Sequence, residues 1–194
     1  VPEVVAATPF VLRQVLLTTQ SGVQGIVLRG IDPQRETQVT ELAKNMSTGQ
    51  LADLLTPVTV RQAPVDDPQG EPQMVEKPGI ILGRELAARL GVFTGDIINV
   101  VSPVGPISAM GMVPKIRTFA VVGLFHSGMY EYDSGLALVH LADAQALYRM
   151  EDRVSGVRLK LGDLFQAPRV ARELLSLVEG DVFISDWTRS HANF

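Results

Sequence analysis

No cysteine occurs among the 194 residues, which removes disulfides, thiolate nucleophiles and thiolate metal sites together. An excess of positive charge is missing as well. Lys and Arg number 17 against 21 Asp and Glu, a formal net charge of -4, and the basic residues are scattered singly. A nucleic-acid backbone therefore finds no basic stripe, and nucleic-acid binding is not expected. Histidine is scarce. His126, His140 and His191 form no HxxxH or HxH pair, and no EF-hand spacing is present, so no bound metal is expected. Neither GxxxxGK[ST] nor GxGxxG occurs, which argues against a nucleotide cofactor, and GxSxG is absent too. No run approaches the about 18 apolar residues of a membrane-spanning helix. The chain begins at Val1-Pro2 without an initiator Met or a signal sequence, which suggests a processed protein or an excised piece of a larger one.

What is present is an ordinary apolar fraction, 46%, in a length that buries about 70% of the unfolded surface, so a core forms without staples. Short apolar segments alternate with turn signals. Val4–Phe10 and Val11–Thr19 read as strands, with Ser21-Gly22 turning the chain into a return strand over Gln24–Ile31. Asp32-Pro33 opens a helix carrying Val39, Leu42, Ala43 and Met46, and Ser47 or Thr48 is placed to cap a second over Leu51–Leu55. Five prolines between Pro57 and Pro78, with little periodic apolar signal, read as a connector or long loop. Gly79–Leu82 is a strand, Arg84–Leu90 a helix ended by Gly91, and Asp96–Ser102 a strand. Phe119–Phe125 reads as a strand buried on both faces, followed by a loop over His126–Gly135, a strand over Leu136–His140 and a helix opened by Asp143. Val154–Leu161 alternates as a half-buried strand does. Pro168 opens a helix with Val170, Leu174, Leu175 and Val178, and Asp181–Ser185 closes a βαβ unit.

Two stretches invite a functional reading. The first, PVGPISAMGMVPKIR (Pro103–Arg117), holds two glycines, three prolines and two methionines. Its prolines keep it from pairing as a central strand, so a hairpin arm bearing Ile107, Met110, Met112 and Val113 is hard to bury completely. Methionine suits an adaptable contact surface. The second, YEYDSG, sets Glu131 and Asp133 between Tyr130 and Tyr132 in an acidic aromatic patch. Nearby, His126, Ser127 and Asp133 are the one place where nucleophile, base and carboxylate cluster, the minimum for a small hydrolase. Residues so close in sequence are seldom oriented as a relay, and no catalytic residue is assigned.

SGMYEYDSG, preceded by FAVVG and followed by an apolar strand and LADAQALY, resembles the periplasmic domain of lipoprotein-releasing ABC transporter permeases, the LolC and LolE type. GIILGRELAARLGVFTGDIINVVSP, VSGVRLKLGDLFQA and the closing DWTRSHANF are similar to the same family in the same order. The resemblance implies an α+β, MacB-like periplasmic domain: a discontinuous porter-like part, residues 1–76 and 152–194, with an inserted β-rich (sabre-like) part, 77–151, carrying a hook arm at about 103–117. It implies a non-catalytic domain with no cofactor, on the periplasmic side of the inner membrane, between membrane helices outside this chain. Its expected partners are the lipoprotein cargo, a partner permease, an ATPase subunit and a periplasmic lipoprotein chaperone of the LolA type. The hook then comprises Ile107, Met110, Met112, Val113, Pro114 and Lys115, with its tip around Met110–Lys115, and Tyr130, Glu131, Tyr132 and Asp133 are placed for a subunit contact. Trp187 begins the return to the membrane. A MacB-like or FtsX-like permease domain, serving efflux or cell-wall enzyme regulation, is the alternative within this architecture.

Overall fold

The computed structural model describes residues 1–62, 71–103, 107–108, 111–112, 114–178, 180 and 182–186. The two strands expected at the N-terminus are one, β1 (Val4–Thr18), which turns at Ser21-Gly22 into β2 (Val23–Ile31). Asp32 caps α1 (Pro33–Val39), its carboxylate accepting from the backbone N–H groups of Gln34 and Arg35. The helix stops at Thr40, short of the expected Met46, and Leu42–Asn45 tightens into a 3₁₀ turn before β3 (Met46–Thr48). A second 3₁₀ turn, Leu51–Leu55, is capped by Gln50 and Asp53 rather than by Ser47 or Thr48. The proline-rich stretch is not all connector. β4 (Val58–Gln62) and β5 (Gln73–Lys77) pair antiparallel through their whole length, with Pro57, Pro72 and Pro78 outside the ladder, where a missing N–H costs nothing.

β6 (Gly79–Gly83), α2 (Arg84–Leu90), β7 (Ile97–Ser102), β8 (Ile107–Ser108), β9 (Gly111–Met112) and β10 (Lys115–Phe125) follow. The expected loop over His126–Gly135 contains α3 (Tyr130–Gly135), which leads into β11 (Leu136–His140), α4 (Leu141–Tyr148), β12 (Gly156–Leu161) and α5 (Ala167–Leu177). Residues 182–186 form no strand.

The main sheet closes on itself. β1 pairs with β2, β2 with β11, β11 with β6, β6 with β10, β10 with β7, and β7 returns to β1 through Leu16↔Val101, Leu17↔Val100 and Thr18↔Asn99. β12 occupies the other half of the same β1 edge, along residues 4–10. The ring takes β1 and β2 from the first portion of the chain and β6, β7, β10 and β11 from the second, so strands from both sides of residues 76/77 share one ladder.

Alternation along these strands divides the apolar residues between two faces. Val15, Leu17, Leu28, Ile80, Leu82, Ile98, Val100, Phe119, Val121 and Val139 form one core, which Leu86 and Leu90 of α2 and Ala144 and Leu147 of α4 complete. Ile31, Ile81, Val122, Phe125 and Leu138 form the other, covered by Leu51 and Leu54. α4 lies so close that a Cβ on Gly30 would stand 2.5 Å from that of Ala144, a position that only glycine can fill.

One charged cluster sits inside this apolar frame. Glu36 of α1 is fully buried and pairs with Arg29 of β2 at 2.8 Å. The hydroxyls of Thr8 and Thr40 donate to its two carboxylate oxygens at 3.3 and 3.1 Å, and the Arg29 guanidinium lies 5.7 Å from the Phe10 ring centre. Burial, with the charge of Arg158, lowers the Arg29 pKa, and Glu36 opposes that shift. Removing one partner leaves a buried charge uncompensated. Glu36→Ala is expected to cost about 3–5 kcal/mol in urea unfolding, whereas the double variant Arg29→Met with Glu36→Leu recovers most of that loss.

Candidate functional site

β7 and β10 leave the ring as an antiparallel pair, with Lys115 opposite Ser102, and the chain beyond them forms the arm. Within it Ile107 pairs with Met112 and Ser108 with Gly111. Of the expected hook residues, Met110 and Val113 lie outside the described residues, as does Trp187. The backbones of Ile107 and Met112 are on the paired part of the arm. Pro114 is exposed and half-buried Lys115 is the first residue of β10, so both stand at the root rather than at the tip.

The root is fastened to α4. The ammonium of Lys115 donates to the carbonyl of Leu147 at 3.0 Å, in the last turn of α4, where a cation also meets the negative end of the helix dipole. Arg117, two residues on and therefore on the same strand face, donates to the Asp143 carbonyl at 3.0 Å and to its carboxylate at 2.6 Å. Its guanidinium lies 5.5 Å from the Phe119 ring centre. Ile116 between them faces the other way and is 64% exposed. Burial raises the Tyr148 phenol above its ordinary value, opposed by nearby, fully buried Ser102 and by the charge of Arg13, whose guanidinium is 5.7 Å from the Tyr148 ring centre. Alongside runs an open groove of about 350 Å³ bounded by Leu54, Pro57, Glu76, Pro78, His140 and the Arg117–Asp143 pair. Sequence reading missed this fastening. The signal was the Lys-Ile-Arg alternation at 115–117, which puts two cations on one face.

The acidic aromatic segment divides in the same way. Tyr130, Glu131 and Tyr132 are exposed, and Tyr130 accepts a hydrogen bond from Arg89 of α2, whose guanidinium is 5.5 Å from the tyrosine ring centre. Asp133 is buried and holds the segment together. Its carboxylate accepts from the Ser127 backbone at 2.7 Å, the Ser127 hydroxyl at 2.8 Å and the Gly128 backbone at 3.2 Å, and lies 2.7 Å from His126 Nδ1. The α3 backbone presses on β6 so closely that a Cβ on Gly83 would meet the Asp133 carbonyl oxygen at 2.2 Å. A serine hydrolase needs the histidine Nε2 at the serine hydroxyl. Here the Ser127 hydroxyl donates to the carboxylate, and Nε2 of His126 faces Arg84 Nη2 at 3.4 Å. The cluster is a knot that orders α3. Among the described residues no group of three or more His, Asp or Glu side chains is placed to hold a metal ion.

No protein-family profile matches the chain. It is 35% identical to "Lipoprotein-releasing system transmembrane protein LolC" of Neisseria meningitidis serogroup B, strain MC58, over 98% of this chain and 42% of that protein. To the LolC of Xylella fastidiosa strain Temecula1 it is 37% identical, over 99% of this chain and 41% of the relative. This chain is related to LolC. Identity to the LolE protein of Haemophilus influenzae is lower, 22% over 96% of the chain. The chain spans about two-fifths of the length of the LolC proteins it matches. In fold it is similar to the extracellular domain of the noncanonic ABC-type transporter YknZ from Gram-positive bacteria, with a TM-score of 0.56 at 14% identity, covering 99% of this chain and 79% of that domain.

Two outcomes follow from the geometry. Burial alone would raise the Asp133 carboxyl, but the hydrogen bonds from Ser127, Gly128 and His126 outweigh it and hold the pKa below the usual carboxylate value. Because the folded pKa is depressed, the stabilisation is complete above the unfolded value of about 3.9 and is lost as pH falls through the folded one. Asp133→Asn is expected to cost about 2–3 kcal/mol at pH 7, with the gap to wild type constant down to about pH 5 and closing below pH 4 in urea titrations. Lys115→Met with Arg117→Met is expected to speed amide exchange at residues 115–117 and 100–102 about 10-fold relative to the β2–β11 ladder.

Proposed function

We propose that this chain is the periplasmic domain of an inner-membrane ABC transporter permease that releases lipoproteins and passes them to a soluble chaperone of the LolA type. It is non-catalytic: ATP is hydrolysed by a separate subunit, and a partner permease completes the transporter. The observation that carries this reading is the arm on β7 and β10, fastened at its root to α4, in a chain 35–37% identical to LolC proteins. Supporting it, the Ser127 hydroxyl is bonded to a carboxylate and not to a histidine.

The division of labour is part of the proposal. Residues 77–151, with the hook Ile107, Met110, Met112, Val113, Pro114 and Lys115, capture the chaperone, while 1–76 and 152–194 form the porter-like part. Because strands of both portions share one ring, motion of one reaches the other through backbone ladders. Exposed Tyr130, Glu131 and Tyr132 suit a contact with the partner permease, tyrosine being enriched at such contacts. Capture is weak and reversible. Association costs of about 4–15 kcal/mol consume most of what one short apolar arm yields, as handing cargo onward requires.

The test is capture of the purified chaperone by the immobilised chain. Ile107→Asp and Met112→Asp are expected to weaken binding about 10-fold or more, the loss of a contact anchor, while Leu175→Asp on exposed α5 leaves it unchanged. Binding that survives both arm substitutions contradicts the proposal.

A further inference from the structure

We infer that the turn Leu164–Gln166, with Val5 beside it, is seated in the headgroup layer of a phospholipid bilayer. Phe165 is 81% exposed, Leu164 56% and Val5 60%. Scattered single apolar residues on a surface need no explanation, but these are adjacent and held outward by a fixed backbone. The Asp163 carboxylate accepts from the Phe165 N–H at 3.0 Å and from the Gln166 side chain at 3.4 Å, and the Asp163 carbonyl accepts from the Gln166 N–H at 3.2 Å. With its carboxylate so occupied, the turn cannot fold its two large side chains inward without breaking these bonds.

The turn is tied to the first residues of β1. Gly162 N–H donates to the Glu3 carbonyl at 3.0 Å, Val4 pairs with Leu161, Arg169 is ion-paired with Glu3, and Val5 lies against Gly162. The LolC relatives are named transmembrane proteins and are more than twice as long as the matched segment. Among the described residues of this chain no helix is long and apolar enough to cross a membrane. On the membrane-permease reading the bilayer is approached through the chain's connections to the rest of such a protein, one of which leads from the start of β1, the end of the sheet where this turn lies. The local charge is compatible. Arg169 is ion-paired with both Glu3 and Glu173, Asp163 is engaged with the turn, and Arg172 is exposed on the following helix, so cations flank the turn beside its carboxylates. An aromatic–aliphatic pair at the surface of a folded domain matches the depth of about 5–10 Å at which such groups settle in the interface.

The inference rests on the membrane-permease reading, and its test separates the two. Since no cysteine is present, Phe165→Cys takes a single environment-sensitive fluorophore, and Phe93→Cys, 73% exposed in the turn between α2 and β7, serves as the control. The chain is anchored through an N-terminal histidine tag to nickel-chelating vesicles of phosphatidylethanolamine and phosphatidylglycerol. The probe at 165 is expected to shift to the blue and to be quenched at least about two-fold by lipids carrying a shallow nitroxide, the probe at 93 by neither. Equal, unquenched emission at both positions overturns the inference, as does shielding at 165 that requires added permease or ATPase subunits. Chaperone capture measured on the same labelled chains reports separately on the proposed function.

Discussion

Three residue pairs, Leu16↔Val101, Leu17↔Val100 and Thr18↔Asn99, close the ring of strands. Without them β7 would be bound to the body through β10 alone, and the arm would hang from a two-stranded ribbon, which is marginal by itself in water. With them, β7 is fixed on both edges up to Val101, one residue before the arm begins. Each of the six ring strands is paired on both sides, and the outer strands of the sheet are β12 and β3. The arm therefore starts from a foundation as firm as the core.

The fastening to α4 extends that foundation by one layer. α4 belongs to the core through Ala144 and Leu147, and both its ends are held by cations from β10: Arg117 at Asp143 and Lys115 at Leu147. Each contact is worth about 1–3 kcal/mol, but their spacing matters more than their strength. Two anchors about one helical turn apart resist rotation of β10 as well as its separation. Displacement of β10 is thereby coupled to α4 and through it to the core.

The sequence was legible wherever one kind of force acted alone. The continuous apolar runs of β6, β10 and β11 and the closing Gly91 of α2 were readable because burial and backbone geometry decide them locally. α3 was not, because six residues with glycine, serine and two tyrosines have no helical periodicity; one carboxylate, Asp133, gathers donors from Ser127, Gly128 and His126 and fixes the turn. β4 and β5 were hidden by the prolines around them, although Pro57, Pro72 and Pro78 all stand outside their ladder. The Arg29–Glu36 pair, with Thr8 added from 28 residues away, is a product of tertiary approach. At the arm, the stretch was found from its composition, while the location of its root depended on the Lys115↔Ser102 register, which no local pattern encodes.

The central claim is that β7 and β10, with the β8–β9 pair beyond them, are held stiffly on the closed ring. Spin labels at Ser108→Cys and Gln145→Cys, in a chain with no other cysteine, measure it by pulsed electron–electron distance spectroscopy. The account predicts one narrow distance distribution in the wild-type background that broadens when Lys115 and Arg117 are both replaced by Met. A distribution already broad with both cations in place contradicts it.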